Sequence, residues 1–148
     1  MHDALRMHIA LRIGLLLVAG APILGCDSPA KQAQSRETAA QSYQTGISAF
    51  ESRDYNGAVE HLTAALESGW LGYTTTAAYT KRAIAQAALG NYDEAHADLD
   101  KAEAGEGASL DTYVARTYVF EKQGKLKEAK AAWNRARKLN RRVKKIED

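Results

Sequence analysis

The chain has 148 residues, 20 lysines and arginines against 18 aspartates and glutamates, and a formal net charge of +2. That length holds one small domain. Alternating apolar–polar stretches are absent and both prolines fall near the start, at Pro22 and Pro29, which excludes a sheet protein and leaves an all-α chain rich in good helix formers.

In chain order, residues 1–12 carry Arg6 and Arg12, and residues 13–23 form an uncharged apolar run. Such a run is too short to span a bilayer, which takes roughly 20 residues as a helix. A basic start, a short apolar stretch and small residues ahead of a cut site describe a secretory signal peptide. Met7 offers a second possible start of translation. The cut site reads Ile23-Leu24-Gly25-Cys26 and resembles the lipobox of bacterial lipoproteins. The resemblance implies a signal peptide over residues 1–25 and a covalent lipid, palmitate included, on Cys26. It also gives a reason for a lone cysteine in an exported protein. Asp27 is similar to the inner-membrane retention signal of enteric Gram-negative lipoproteins. The implied location is a bacterial membrane, lipid-anchored and outside the cytoplasm, with the inner membrane favoured in a Gram-negative cell. Cleavage elsewhere would instead give a non-lipidated periplasmic or secreted module. Residues 26–38 then read as the lipidated cysteine and a flexible tether, because Ser28, Pro29, Gln32, Gln34 and Ser35 cannot build a core.

A signature then recurs three times: Tyr55, Ala58, Leu62, Ala65; Tyr92, Ala95, Leu99, Ala102; Leu126, Ala129, Trp133, Ala136. The copies start 37 and then 34 residues apart, a period that predicts stacked helical hairpins. Alanines seven apart share one helix face and admit a close neighbour, with Leu62, Leu99 or Trp133 filling the remaining gap. Breakers precede each copy at Arg53-Asp54, Gly90-Asn91 and Gly124-Lys125. Small residues at Gly46, Ala83 and Thr117 mark the expected crossings with an earlier helix.

On these residues the chain resembles a tetratricopeptide repeat (TPR) protein. The middle copy is the fullest match: Ala78-Tyr79-Thr80-Lys81-Arg82-Ala83, Gly90-Asn91-Tyr92-Asp93-Glu94-Ala95 and Asp98-Leu99-Asp100-Lys101-Ala102. The resemblance implies a right-handed α-solenoid of about three TPR hairpins over residues 39–148, with repeats at about 39–72, 76–109 and 110–143. Trp70, Gly107 and Arg141 stand where the family usually closes a repeat with proline. The first join is longer than the family period and carries an apolar tip, Gly69-Trp70-Leu71-Gly72-Tyr73. Trp70 and Leu71 either cap the first hairpin or form a second contact surface.

The family's working surface is the groove lined by the first helix of each hairpin. By phase, the implied partner-binding residues are Tyr43, Ile47, Phe50, Lys81, Ile84, Val114 and Tyr118, an expected mainly apolar groove suited to an apolar segment of a protein partner. It lacks the carboxylate clamp of one TPR subclass. No catalytic or metal-ligating arrangement is legible. His61 and His96 lie in different repeats without further ligands at metal spacing, and Asp98 and Asp100, two apart, point different ways on a helix.

Charge is segregated. Residues 27–121 hold seven basic and fourteen acidic side chains, and residues 122–148 hold eleven basic and three acidic. The last helix is expected to run on to about Lys145, with Arg141, Arg142, Lys144 and Lys145 either capping the stack or meeting anionic lipid or an acidic partner. Nucleic acid is not expected for an exported protein. Together these readings describe a non-enzymatic, membrane-anchored adaptor or scaffold of the bacterial cell envelope. A regulatory subunit of an envelope enzyme complex is the alternative from another class.

Overall fold

The computed structural model describes residues 28–147. Among them are six α-helices and no strand: α1 (Pro29–Glu51), α2 (Tyr55–Glu67), α3 (Thr75–Ala88), α4 (Tyr92–Glu106), α5 (Leu110–Lys122) and α6 (Leu126–Leu139). They pair as three hairpins, α1 with α2, α3 with α4 and α5 with α6. α3 packs between α1 and α5, whereas the backbones of α2, α4 and α6 stay more than 8 Å apart from one another. The first helices therefore form a continuous inner layer and the second helices a splayed outer one. The result is an α-solenoid of three TPR-type hairpins with its concave side on α1, α3 and α5.

The same turn closes every hairpin. Arg53, Gly90 and Gly124 all take positive φ, at 63°, 87° and 76°. The residue that follows each donates its N–H back to Ala49, Gln86 or Phe120 at 2.8–2.9 Å. These are left-handed helix stops, which glycine adopts freely and a side chain adopts only with strain. The helix after the turn is capped in the first hairpin by the Asp54 carboxylate, which accepts from the Gly57 N–H at 3.0 Å.

The alanines of the repeated signature are buried, from Ala58 and Ala65 through Ala95 and Ala102 to Ala129 and Ala136. Gly46 lies so close to α2 that a Cβ there would stand 2.8 Å from Leu62 Cγ and 3.1 Å from its backbone nitrogen. One apolar cluster joins the first two hairpins through Leu62, Ala65, Leu71 and Ala78. A second joins the last two through Ile84, Ala95, Leu99, Ala115, Tyr118 and Val119.

Polar bonds tie the hairpins together at a position no motif announces. The Arg82 guanidinium donates to both carboxylate oxygens of Asp98 at 2.7 Å and to Thr63 Oγ1 at 2.8 Å, linking α3 to α4 and α2. Both charged side chains are largely removed from water, and the bond to Asp98 raises the guanidinium's pKa above its ordinary value. A raised pKa means that the charged form is stabilised throughout the range below it, so this contribution fades only as pH climbs through the arginine range. Arg116, 34 residues on, donates to Glu103 and Asp100 of α4, each at 2.6 Å. Burial opposes its charge, and the two carboxylates more than offset this, so its pKa is also raised.

Two expectations need correction. The tether predicted over 26–38 is helical from Pro29, where Ser28 caps the first turn by accepting from Lys31 N–H. Polar residues there bury almost nothing, yet alanine, glutamine and lysine favour helix without a core, and proline suits its first position. Cys26, Asp27 and the signal peptide lie outside the described residues. The extension of α6 to Lys145 also fails. The helix stops at Leu139, Asn140 is extended, and its side-chain oxygen accepts from Arg142 N–H at 2.9 Å. An Asn turn competes with the helix there, and the adjacent like charges would repel along a helical face.

Two opposite substitutions test this packing. Arg53→Gly should relieve left-handed strain of roughly 1 kcal/mol, less part of glycine's entropic cost, and raise the melting midpoint. Gly46→Ala should lower it by overpacking of about 1–3 kcal/mol despite alanine's better helix propensity. Calorimetry showing the reverse order would contradict the assigned turns and crossings. Asp98→Ala should cost about 3 kcal/mol by stranding Arg82; urea unfolding with an unchanged midpoint would show that the pair contributes nothing.

Candidate functional site

The concave face carries a cavity of about 380 Å³ between α3 and α5. Thr76, Ala77, Thr80, Lys81 and Ile84 form one wall, Ser109, Asp111 and Val114 the other, and Ile146 of the C-terminal segment borders it. Helical spacing accounts for the first wall: positions 77, 80, 81 and 84 lie on one stripe of α3. On α5, Asp111 and Val114 lie three apart on one face. The Ser109 hydroxyl caps α5 through Thr112 N–H and lies 2.8 Å from Thr112 Oγ1, while Thr80 Oγ1 donates to Thr76 O at 2.8 Å. Both hydroxyls thus already have partners inside the fold. Lys81 and Asp111 put opposite charges on facing walls, so the cavity suits a segment with mixed apolar and charged groups.

Of the residues expected in the groove, Lys81, Ile84 and Val114 are brought together. Ile84 is nearly buried, as is Tyr118, which lies within the cluster joining the last two hairpins. Phe50 packs against that same cluster, meets the Tyr55 ring edge-on at 6.0 Å and sits under Lys81 Nζ at 4.8 Å. Ile47 packs into the first cluster. Tyr43 borders a separate cavity of about 190 Å³ with Ala40, Gln44, Trp70, Leu71 and Thr74. The expected groove is thus divided: Lys81, Ile84 and Val114 line the cavity, Ile47, Phe50 and Tyr118 pack in the joints between hairpins, and Tyr43 borders the second cavity.

The apolar tip divides. Leu71 is buried in the first cluster, while Trp70 is 40% exposed with Arg36 stacked 4.7 Å from its ring. In the basic region, Arg141 borders a shallow surface with Asn134, Arg137 and Lys138. Arg142 and Lys144 are exposed. Lys145 instead pairs with Glu121 and lies 5.5 Å from the Trp133 ring centroid. His96 Nε2 is 3.1 Å from Gln123 Oε1, and its ring is tilted against Phe120 at 4.8 Å. Among the described residues no group of three or more His, Cys, Asp or Glu side chains could hold a metal ion, and no helix is long and apolar enough to cross a membrane.

Two features escaped the sequence reading: the arginine pairs and the returning C-terminal segment. The 34-residue spacing of Arg82 and Arg116 was a usable signal for the first, since it equals the repeat period. For the second, Ile146 is the last apolar residue in a polar tail, a weak signal that does not say where it packs.

No family model matches the chain, and no curated protein matches it. Among solved structures, the chain is similar to the Arabidopsis OM64 TPR domain, with a TM-score of 0.65 and 24% sequence identity over 74% of this chain and 88% of that one. At that identity the likeness shows the fold, a helical solenoid of TPR hairpins.

Proposed function

We propose that this chain is a non-catalytic adaptor, anchored by a lipid on Cys26 to a bacterial membrane outside the cytoplasm, that docks protein segments on the concave face of α3 and α5. The observation that carries the docking reading is the open cavity between Lys81 and Asp111, built on two rigid helices and lined by side chains of mixed polarity. Pockets of this kind take a peptide by a few anchors with charge setting its register. The sequence Leu24-Gly25-Cys26 supports the anchor, and Asp27 supports retention in the inner membrane of a Gram-negative cell. Helix α1, polar and exposed through its first turns, would hold the hairpins away from the bilayer as a stalk. An anchor confines the groove to a surface and raises its local concentration against envelope partners.

Cys26→Ala should abolish incorporation of an alkyne-tagged palmitate and move the chain from the membrane to the soluble fraction. Retention of label or of membrane association by this variant contradicts the anchor. For docking, Lys81→Glu combined with Val114→Arg should weaken partner capture by in-cell crosslinking at least tenfold, equivalent to about 1.4 kcal/mol, with helical circular dichroism unchanged. Undiminished capture places the contact elsewhere, with Trp70 and the basic α6 face as the places to examine.

A further inference from the structure

The C-terminal segment does not trail away from the stack. After α6 ends at Leu139, the chain turns at Asn140, where the carbonyl accepts from Val143 N–H at 3.2 Å. Residues 143–147 then run without regular structure. Arg141, Arg142, Lys144, Lys145 and Glu147 remain exposed, while Val143 and Ile146 are partly covered. Ile146 packs against the cluster that contains Ile84 and Tyr118, and it borders the concave cavity beside Val114 and Lys81. One residue earlier, Lys145 Nζ donates to Glu121 Oε1 of α5 and lies over Trp133 of α6.

The segment thus meets the groove as a peptide ligand would, through one aliphatic side chain fixed in register by a cation on a carboxylate. Its basic charge also answers the acidic body of the domain, where residues 27–121 carry fourteen acidic against seven basic side chains. Its hold is a weak one. Lys145 and Glu121 are 46% and 33% exposed, and a pair so hydrated is readily exchanged for another and screened by salt.

Resting on the reading of the concave face as a docking surface, we propose that residues 140–147 are a displaceable strap that covers one edge of the groove in cis, Ile146 holding part of the place an external segment would take. The external ligand that fits the same place is an extended peptide segment with a basic residue directly before an aliphatic one. A tethered occupant acts at an effective concentration on the order of 1 mM. If the free segment binds with a Kd of about 0.1 mM, the strap lowers the apparent affinity for a competitor about tenfold. The groove is thereby kept from weak ligands and left open to strong ones.

The test uses the detergent-solubilised full chain and, as probe, a fluorescein-labelled synthetic peptide with the sequence of residues 139–148, read by fluorescence anisotropy. Ile146→Ser in the protein should tighten probe binding about tenfold, with unchanged helical circular dichroism and a shifted Trp133 emission as Lys145 leaves the ring. Adding Glu121→Lys or Val114→Arg to that variant should abolish binding, and a probe carrying Ile146→Ser should bind neither protein. Equal binding by the wild-type and Ile146→Ser chains would overturn the strap while leaving the docking surface standing. Absence of binding in every variant would overturn both. A mass that rises with concentration for the wild-type chain and not for Ile146→Ser would overturn the cis arrangement in favour of exchange between two copies.

Discussion

The concave face depends on how closely the first helix of each hairpin can approach the second. At Gly46 that approach brings α1 onto Leu62 with no room for a methyl group, and Ala83 and Thr117, both buried, take the corresponding positions in the next hairpins. Close crossings inside each hairpin let the inner helices gather while the outer helices stand apart. Interiors packed to near-crystalline density do not deform gradually, so these crossings hold each hairpin in one geometry, and the cluster of Ile84, Ala87, Ala115 and Tyr118 holds α3 against α5 beneath the groove.

The ends of the stack obey the same logic. Tyr92 reaches the next hairpin, where its hydroxyl donates to Lys122 O at 3.0 Å. Leu126 holds the equivalent place in the third hairpin and is 71% exposed, with no further hairpin among the described residues to cover it. The returning strap covers the concave side instead, with Lys145 on Trp133 and Ile146 against the inner cluster. At the other end, Thr45 stands where Arg82 and Arg116 stand in the later hairpins, and it donates to Gln41 O within its own helix. Among the described residues there is no earlier hairpin for an arginine at that place to reach.

Much of this architecture was legible because it is periodic. Alanines seven apart, small residues at the crossings and breakers at Arg53, Gly90 and Gly124 each report a local geometric demand that recurs with the repeat. What was not legible is which neighbour a residue finds. Tyr118 and Phe50 fall on the inner helices, as their phase suggested, but phase does not tell a groove wall from a joint between hairpins. Arg82 meets a carboxylate 16 residues away, a pairing decided by the turn between α3 and α4. Composition described residues 28–38 correctly as polar and exposed, yet exposure does not forbid a helix when the residues favour one and Ser28 caps it. The basic tail read as a helix because Val143 continues the apolar phase, and Asn140 ended it.

The concave surface is best probed by placing a photo-crosslinking amino acid at position 114 of the chain in living cells and mapping the adducts by mass spectrometry. Two products are expected: an internal crosslink to residues 143–147, and an adduct with an envelope protein at a basic–aliphatic segment, the first diminishing as the second is overproduced. Adducts confined to lipid, or none at position 114 alongside strong protein adducts at position 70 or on the exposed face of α6, would contradict a concave docking surface.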